Sequence, residues 1–564
     1  MKKRGMMLFV VLGLVPFLMA FRFGGEISYP NPTKFQVNPD GYALIQDIAA
    51  GDVDGDGDQD LIVLYRLSTA TERRNEVKLY LNKNAELGGT PPTALGGTPS
   101  GTVQAINTLF PSLYLNDGTT ANPYNTYYTI YQDGWSGTQG TDPSFGRTSG
   151  ARVNGFDSTY DFRSYFTHLA VAYKTVSGKQ VVDYILVSRE YGSVTTSYYS
   201  NWTGYTPRQY AGRIIHLKNP YTGANPNDVK GPWLNRAGTA AHTGNAMNFD
   251  ATTPDSDHDS TPSTAQFYND DYTWKVPYSS DDVCRGTFNS IELADLDGDG
   301  DYDLYAAPLV YVNSTQSGDN MHTVAQIYRY TNDGTNNFNN AYNDASPGAN
   351  FLWSDGSTNP LGYQFGQIRL VDINKDGIPD LLGAQGGGSS YSLSWIAGRN
   401  TGGFMNTNCK ANGALLNSAG TLTDINAGNL RAPTSGSGGD NNNGVPDLIL
   451  TRAADAQIEI SMYSDTAHKA PAWGTFADFQ AIYTAPASET TNSGNTWMYN
   501  IKLGRVITAD VDNCGENEII VTIRGRTAQY WIFKKNTTKY LTMNFNELLK
   551  RIPSLHLKME TGAL

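Results

Sequence analysis

The sequence predicts an all-β fold, and more narrowly a β-propeller of seven blades, within a range of six to eight, carrying long loop insertions. Three observations carry that expectation. Short acidic motifs recur, starting at Asp52, Asp295, Asp372, Asp424 and Asp510, with apolar runs of strand length beside them. The body of the chain shows no long 3.6-residue apolar period, and only "FNELLKRI" near Phe545 reads as one short helix. The composition, 39% hydrophobic and 17% charged with 58 Gly and 35 Tyr in 564 residues, argues against a disordered polyelectrolyte. It suits many short strands joined by polar turns.

Along the chain, the first element is an export leader. "MKKRG" is basic, and "MMLFVVLGLVPFLMA" is a short apolar core ending in Ala20, the pattern of a secretory signal peptide over residues 1–20. That core is shorter than the ~20 residues a membrane span needs. The alternative is a prepilin-like leader cut after Gly5, which would keep the apolar segment on the mature chain. The expected location is secreted, extracellular or on the cell surface, with no stable membrane span after cleavage. A formal charge of -13 makes nucleic acid and anionic membrane surfaces poor partners. Cys284, Cys409 and Cys514 form no CxxC pair, which speaks against a thiolate metal site; their pairing is open.

Residues 21–545 hold the repeats. "DVDGDGDQDLIVL" from Asp52, "DLDGDGDYDLYAA" from Asp295, "DINKDGIPDLLGA" from Asp372 and "DVDNCGENEIIVT" from Asp510 align position by position. An apolar residue stands four places upstream of each: Ile48, Ile291, Ile368 and Val506. A fifth copy reads as interrupted, with Asp424 and Asn426 before a long insertion and Asn443 and Asp447 after it; a degenerate loop using Asp440 and Asn441 is the alternative. A unit without an acidic loop is visible as "THLAVAYK", "VVDYILVSRE" and "RIIHLK", three consecutive strands from Thr167. Units of three or four strands at this period cannot bury both faces alone, and a ring of blades lets them do so. The polar stretches at about 86–160, 219–285 and 427–442 read as insertions on one rim, and 546–564 as a C-terminal tail. A multi-domain array of β-sandwiches is the rival architecture.

Oxygen ligands at positions 1, 3, 5 and 9 can wrap one calcium ion, a hard cation that takes six to eight oxygens. In the first copy these are Asp52, Asp54, Asp56 and Asp60, with the Asp58 carbonyl as a fifth. Four carboxylates so close would repel one another without a cation. Gly57, at position 6, permits the sharp reversal. An EF-hand is excluded: position 12, which should be a bidentate Glu, is Val63, Ala306 or Gly383, and the flanks suit strands.

These loops resemble the FG-GAP/VCBS repeats of integrin-α-like β-propellers, with their D-x-D-x-D-G-x-x-D calcium loops. The likeness covers the repeats, about half of the chain, and it implies a largely structural Ca2+ in each complete loop. The implied ligands are Asp52, Asp54, Asp56, Asp58 and Asp60; Asp295, Asp297, Asp299, Asp301 and Asp303; and Asp372, Asn374, Asp376, Ile378 (by its carbonyl) and Asp380. The copy with Asp510, Asp512 and Glu518 departs from the pattern at Cys514, and the one with Asp424, Asn426, Asn443 and Asp447 departs further.

No strong catalytic signature appears: the seven histidines form no HExxH motif, and no GxSxG elbow or phosphate-binding loop is present. Tyr128, Tyr131 and Trp135, with Tyr199, Trp202 and Tyr205, form two aromatic clusters suited to stacking on sugars or to protein interfaces. Packing of the insertions is the plainer explanation of those rings. The expected function is a calcium-stiffened binding or adhesion module for carbohydrate or extracellular protein, with self-association. An extracellular polysaccharide-degrading, lyase-like enzyme and a structural subunit of a surface filament are the alternatives.

Overall fold

The computed structural model describes residues 29, 32–38, 43–68, 72–89, 102–110, 126–136, 164–191, 212–234, 266–268, 271–273, 276–278, 282–284, 287–312, 320–323, 327–332, 334, 338–339, 365–374, 376–387, 390–400, 403–404, 418–419, 422–430, 446–452, 457–461, 463–464, 475–476, 480–486, 488–490, 496–499, 501–524 and 528–535. The leader, the C-terminal tail, Asn443, Tyr199, Trp202 and Tyr205 lie outside them.

Among the described residues six antiparallel sheets of four or five strands organise the fold, beside three two-stranded ones, Val276–Tyr278 with Asp282–Cys284, Tyr463–Ser464 with Thr475–Phe476 and Ser488–Thr490 with Thr496–Tyr499. Sheet I orders Ala43–Gly51, Asp60–Ser68, Glu72–Tyr80 and Tyr128–Ser136 side by side. Sheet II begins with Ser164–Val176, Lys179–Tyr191 and Gly212–Lys218 and ends with the short strands Asp271–Thr273 and Gln266–Tyr268. Sheet III is Thr287–Ala294, Asp303–Val312, Tyr328–Asn332 and Phe338–Asn339, with Asn320–Thr323 also on the second strand. Sheet IV is Phe365–Val371, Asp380–Gly387, Ser390–Ile396 and Ser418–Ala419. Sheet V is Leu422–Gly428, Asp447–Arg452, Gln457–Ser461 and Gln480–Thr484. Sheet VI joins both ends of the described chain: Lys502–Ala509, Glu518–Arg524 and Ala528–Phe533 pair in order, and Thr33–Asn38 adds to the last of them.

Alternation along the second strand of each sheet explains how the sheets stack, because successive side chains leave a strand on opposite faces. In Asp60–Ser68, Leu61, Val63 and Tyr65 enter the core shared with sheet VI, while Ile62 and Leu64 enter the core shared with sheet II. In Asp303–Val312, Leu304 and Ala306 face sheet II, and Tyr305 and Ala307 face sheet IV. Leu448 and Leu450 face sheet IV, and Ile449 faces sheet VI. Both faces are apolar, so these strands read as near-continuous hydrophobic runs. Each fully buried Val, Leu or Ile contributes about 1.5–3 kcal/mol relative to exposure, which one isolated sheet could not collect on either face. Six apolar cores result, one between each pair of consecutive sheets and one between VI and I. The first strands follow the same cycle: Ala43–Gly51 packs on Ser164–Val176, and so on to Lys502–Ala509, which returns to Ala43–Gly51.

The all-β expectation holds. Parts of the stretches read as rim insertions instead supply outer strands, Tyr128–Ser136 in sheet I and Gln266–Tyr268 and Asp271–Thr273 in sheet II. These outer strands lie far along the chain from the first turns of their sheets, so the repeat pattern does not reach them. Sheet II replaces the acidic loop by a tight turn through Ser177 and Gly178, both at positive φ.

Candidate functional site

The acidic motifs of sheets I, III, IV and VI all occupy the turn between first and second strands, and the register is the same in each. Gly51 lies opposite Asp60, Ala294 opposite Asp303, Val371 opposite Asp380 and Ala509 opposite Glu518. Position 1 accepts two backbone N–H groups. Asp52 takes those of Gly55 and Gly57 at 2.7 and 3.0 Å; Asp295 takes those of Gly298 and Gly300 at 2.7 and 3.1 Å. Asp372 and Asp510 accept from Gly377 and Gly515 at 2.9 and 2.8 Å. Position 9 reaches back to position 2: Val53 donates to Asp60, Ile373 to Asp380 and Val511 to Glu518, at 2.9, 2.9 and 3.0 Å. Its second oxygen accepts from the end of the third strand, through Asn82, Asn332 or Gly398. Backbone donors thus orient the outer carboxylates of each turn; Asp380 Oδ2 accepts twice, from Ile373 and Asn374 N–H at 2.9 and 3.1 Å.

Position 6 is Gly57, Gly300, Gly377 or Gly515, with φ of 100, 98, 88 and 85°, a region open to glycine at little cost. Gly55 has φ of 79°, and a Cβ built there would meet Tyr221 Oη of sheet II at 2.4 Å. Gly55→Ala is therefore expected to cost about 1–3 kcal/mol, through backbone strain and a clash between neighbouring sheets. Urea denaturation of the purified variant checks this; an unchanged midpoint would contradict it.

Carboxylates crowd in these turns. Asp52, Asp54 and Asp60 place ligand oxygens within 4.8 Å of one another, as do Asp56, Asp58 and Glu86; Asp295, Asp297 and Asp299; and Asp510, Asp512 with the Cys514 thiol. In sheet IV the Asn374 amide contributes, donating to Asp376 at 3.0 Å. Burial, followed by the charges of neighbouring acids, raises Asp52, Asp56, Asp301, Asp303 and Asp380 above the ordinary carboxylate range. Asp52 is pushed up to about 6, Asp56 to about 8, Asp301 and Asp303 to about 6 and Asp380 to about 7. A bound divalent cation would relieve the same repulsion. The donor set is hard oxygen in three turns, the chemistry calcium prefers, and mixed with sulfur at Cys514.

Several predicted residues sit elsewhere than expected. Asp58 is wholly buried, and its side chain accepts from Ala85 N–H at 2.5 Å and from the Asn513 amide of sheet VI at 2.6 Å. Glu86, which the sequence reading missed, joins the cluster from beyond the third strand. Asp424 and Asn426 lie within the first strand of sheet V. Gly428 pairs with Asp447 there, so Asn429 occupies the turn's opening position. Likeness of "TDIN" to "VDIN" misplaces the copy by five residues. Asn426 donates to the Val506 carbonyl at 2.9 Å. Tyr131 is buried in the core between sheets I and II, so its ring is spent on packing; Tyr128 is half-buried, with Lys230 Nζ 5.5 Å from its ring centre. Trp135 lies on the outermost strand of sheet I.

A second polar cluster has no motif. Five first strands bulge five residues before their turn position, and that of sheet II bulges between Phe166 and His168, which re-aims side chains. Asp47, His168, Ser290, Gln367, Asp424 and Arg505 occupy that level. Arg505 Nη1 donates to Asp424 at 3.2 Å and to Gln367, Nη2 meets His168 Nδ1, and Nε lies 3.8 Å from Asp47. Arg369 donates to Asp424 at 2.9 Å and to Glu292 at 2.8 Å. Burial pushes Asp47 up, against the pull of Arg505, and Glu292 up to about 7.

No family model matches the chain, and no curated protein matches it. Among solved structures, polysaccharide lyase Uly1 is similar at a TM-score of 0.22 and 10% identity, over 89% of this chain and 57% of that one. Rhamnogalacturonan lyase YesW is similar at 0.24 and 11%, over 90% of this chain and 75% of that one. The chain spans just over half the length of the first. Likenesses of this size do not establish a shared fold.

Proposed function

We propose that the six sheets are blades of a β-propeller of the FG-GAP/VCBS kind, that divalent cations, calcium foremost, lock its acidic turns, and that the protein is an exported binding module for carbohydrate or protein. One observation supports this most: in four sheets the same turn, at the same register, carries acids at positions 1 and 9 and a positive-φ glycine at position 6. The cyclic packing of first strands and the joining of both ends of the chain in sheet VI favour a ring over an open stack. Asn82 and Asn219 tie neighbouring blades together, donating to carbonyls of Val511 and Val53 at 2.8 Å. Cations would stiffen those same turns, leaving the strand-to-strand connections to meet a ligand. Tyr127, exposed and with Lys78 Nζ 3.9 Å from its ring centre, marks one such connection. Among the described residues no helix is long and apolar enough to cross a membrane.

A polysaccharide array probed in calcium tests the binding role. Retention on one class of glycan without chain cleavage is the expected outcome. Release of shortened products would replace the module by an enzyme.

A further inference from the structure

The four acidic turns differ in what the third strand brings to them. Register makes the comparison position by position. Leu79 lies opposite Ile62 in sheet I, Arg329 opposite Tyr305 in sheet III, Trp395 opposite Leu382 in sheet IV and Ile532 opposite Ile520 in sheet VI. Two residues further on stand Leu81, Thr331, Ala397 and Lys534. Sheets I and IV therefore present apolar residues at both places, whereas sheets III and VI each present one base.

Both bases are turned onto the carboxylates. Arg329 Nε donates to Asp303 Oδ2 at 2.7 Å, and its Nη2 bridges Asp303 and Asp297. These are positions 9 and 3, two of the oxygens a metal would take. Lys534 Nζ pairs with Asp512, again position 3, whose side chain is buried. In sheet I the nearby Lys179 donates instead to the Gly55 carbonyl at 2.6 Å. A guanidinium fork matches two carboxylates with directed N–H bonds and keeps its charge at any accessible pH. A metal entering such a turn must first displace it.

We infer that Arg329 and Lys534 are resident side-chain cations of the turns in sheets III and VI, so that these turns are partly neutralised from within and take up calcium more weakly than those of sheets I and IV. The inference rests on the reading of the acidic turns as cation sites. It divides the repeats into metal-locked and side-chain-locked classes, a division their shared motif conceals.

The test compares the wild type, Arg329→Gln and Lys534→Gln, each stripped with chelator and dialysed against the same subsaturating free calcium. Bound calcium per chain is read by atomic emission, alongside the melting point. Each variant is expected to hold more calcium than the wild type, up to about one further ion, since one turn then loses its resident cation, with an all-oxygen set in sheet III and the Cys514 thiol beside the carboxylates in sheet VI, and to gain more in melting point from calcium. Lys534 is 39% exposed at its side chain, so Lys534→Gln keeps the fold and decides the matter alone should Arg329→Gln fail to fold. Identical binding by the wild type and Lys534→Gln, with calcium bound to both, would overturn the inference while leaving the cation reading intact. Calcium bound to none of the proteins would sink that reading, and the inference with it.

Discussion

Replacing Arg505 with methionine is expected to cost about 3–5 kcal/mol of folding stability, because it leaves buried carboxylates without their partner. Arg505 lies between Asp424, Gln367, His168 and Asp47, residues from four other sheets. The network holds Asp47, Glu292 and Asp424 against Arg369 and Arg505, with His168 beside Asp47, so losing Arg505 leaves three acids facing one arginine. Asp424 is the most dependent of them: it is wholly buried and also accepts from Val506 N–H at 2.9 Å. Lysine at 505 is not expected to restore the loss, since one ammonium cannot reproduce the planar fork. Urea denaturation with linear extrapolation checks the value. A loss below about 1 kcal/mol, the range of a solvent-screened pair, would mean that water reaches this cluster and that the first strands do not close around it.

The second large effect is a pH dependence whose sign calcium reverses. Without metal, Asp52, Asp303 and Asp301 are raised to about 6, Asp380 to about 7 and Asp56 to about 8, against an unfolded value near 3.9. The native chain then binds more protons than the unfolded chain between about pH 4 and 8, and stability falls as pH rises through that window. Chelator-treated protein should accordingly melt higher near pH 5 than near pH 8. With calcium bound the carboxylates stay ionised, the unfolded chain binds more protons, and stability should instead fall as pH drops. Melting curves across this range, with calcium and with chelator, read both slopes. Parallel curves would show that the turns hold no cation.

The turns were legible because their chemistry is written in consecutive residues. Oxygen-bearing residues at fixed spacing, a positive-φ glycine at position 6 and an apolar run after position 9 recur together, and the three full copies and the one altered at Cys514 fall in equivalent turns. The network around Arg505 was not legible. It takes one residue from each first strand, of five chemical types, and only the bulge register aligns them. Asp424 illustrates the confusion: its string "TDIN" imitates a turn opening, yet pairing of Gly428 with Asp447 moves the opening to Asn429. Arg329 and Lys534 escaped for a related reason, since both approach their turns from the third strand, well beyond any local motif. Outer strands such as Tyr128–Ser136 were hidden by the length of polar chain before them.

The most direct measurement is calorimetric titration of calcium into chelator-stripped protein, followed by a melt of the same sample. Saturable binding is expected, with a melting point that rises with free calcium; occupancy at 100 times the dissociation constant adds about 2.7 kcal/mol per site. No binding heat, together with a melting point the same in calcium and in chelator, would contradict the assignment of the acidic turns as cation sites.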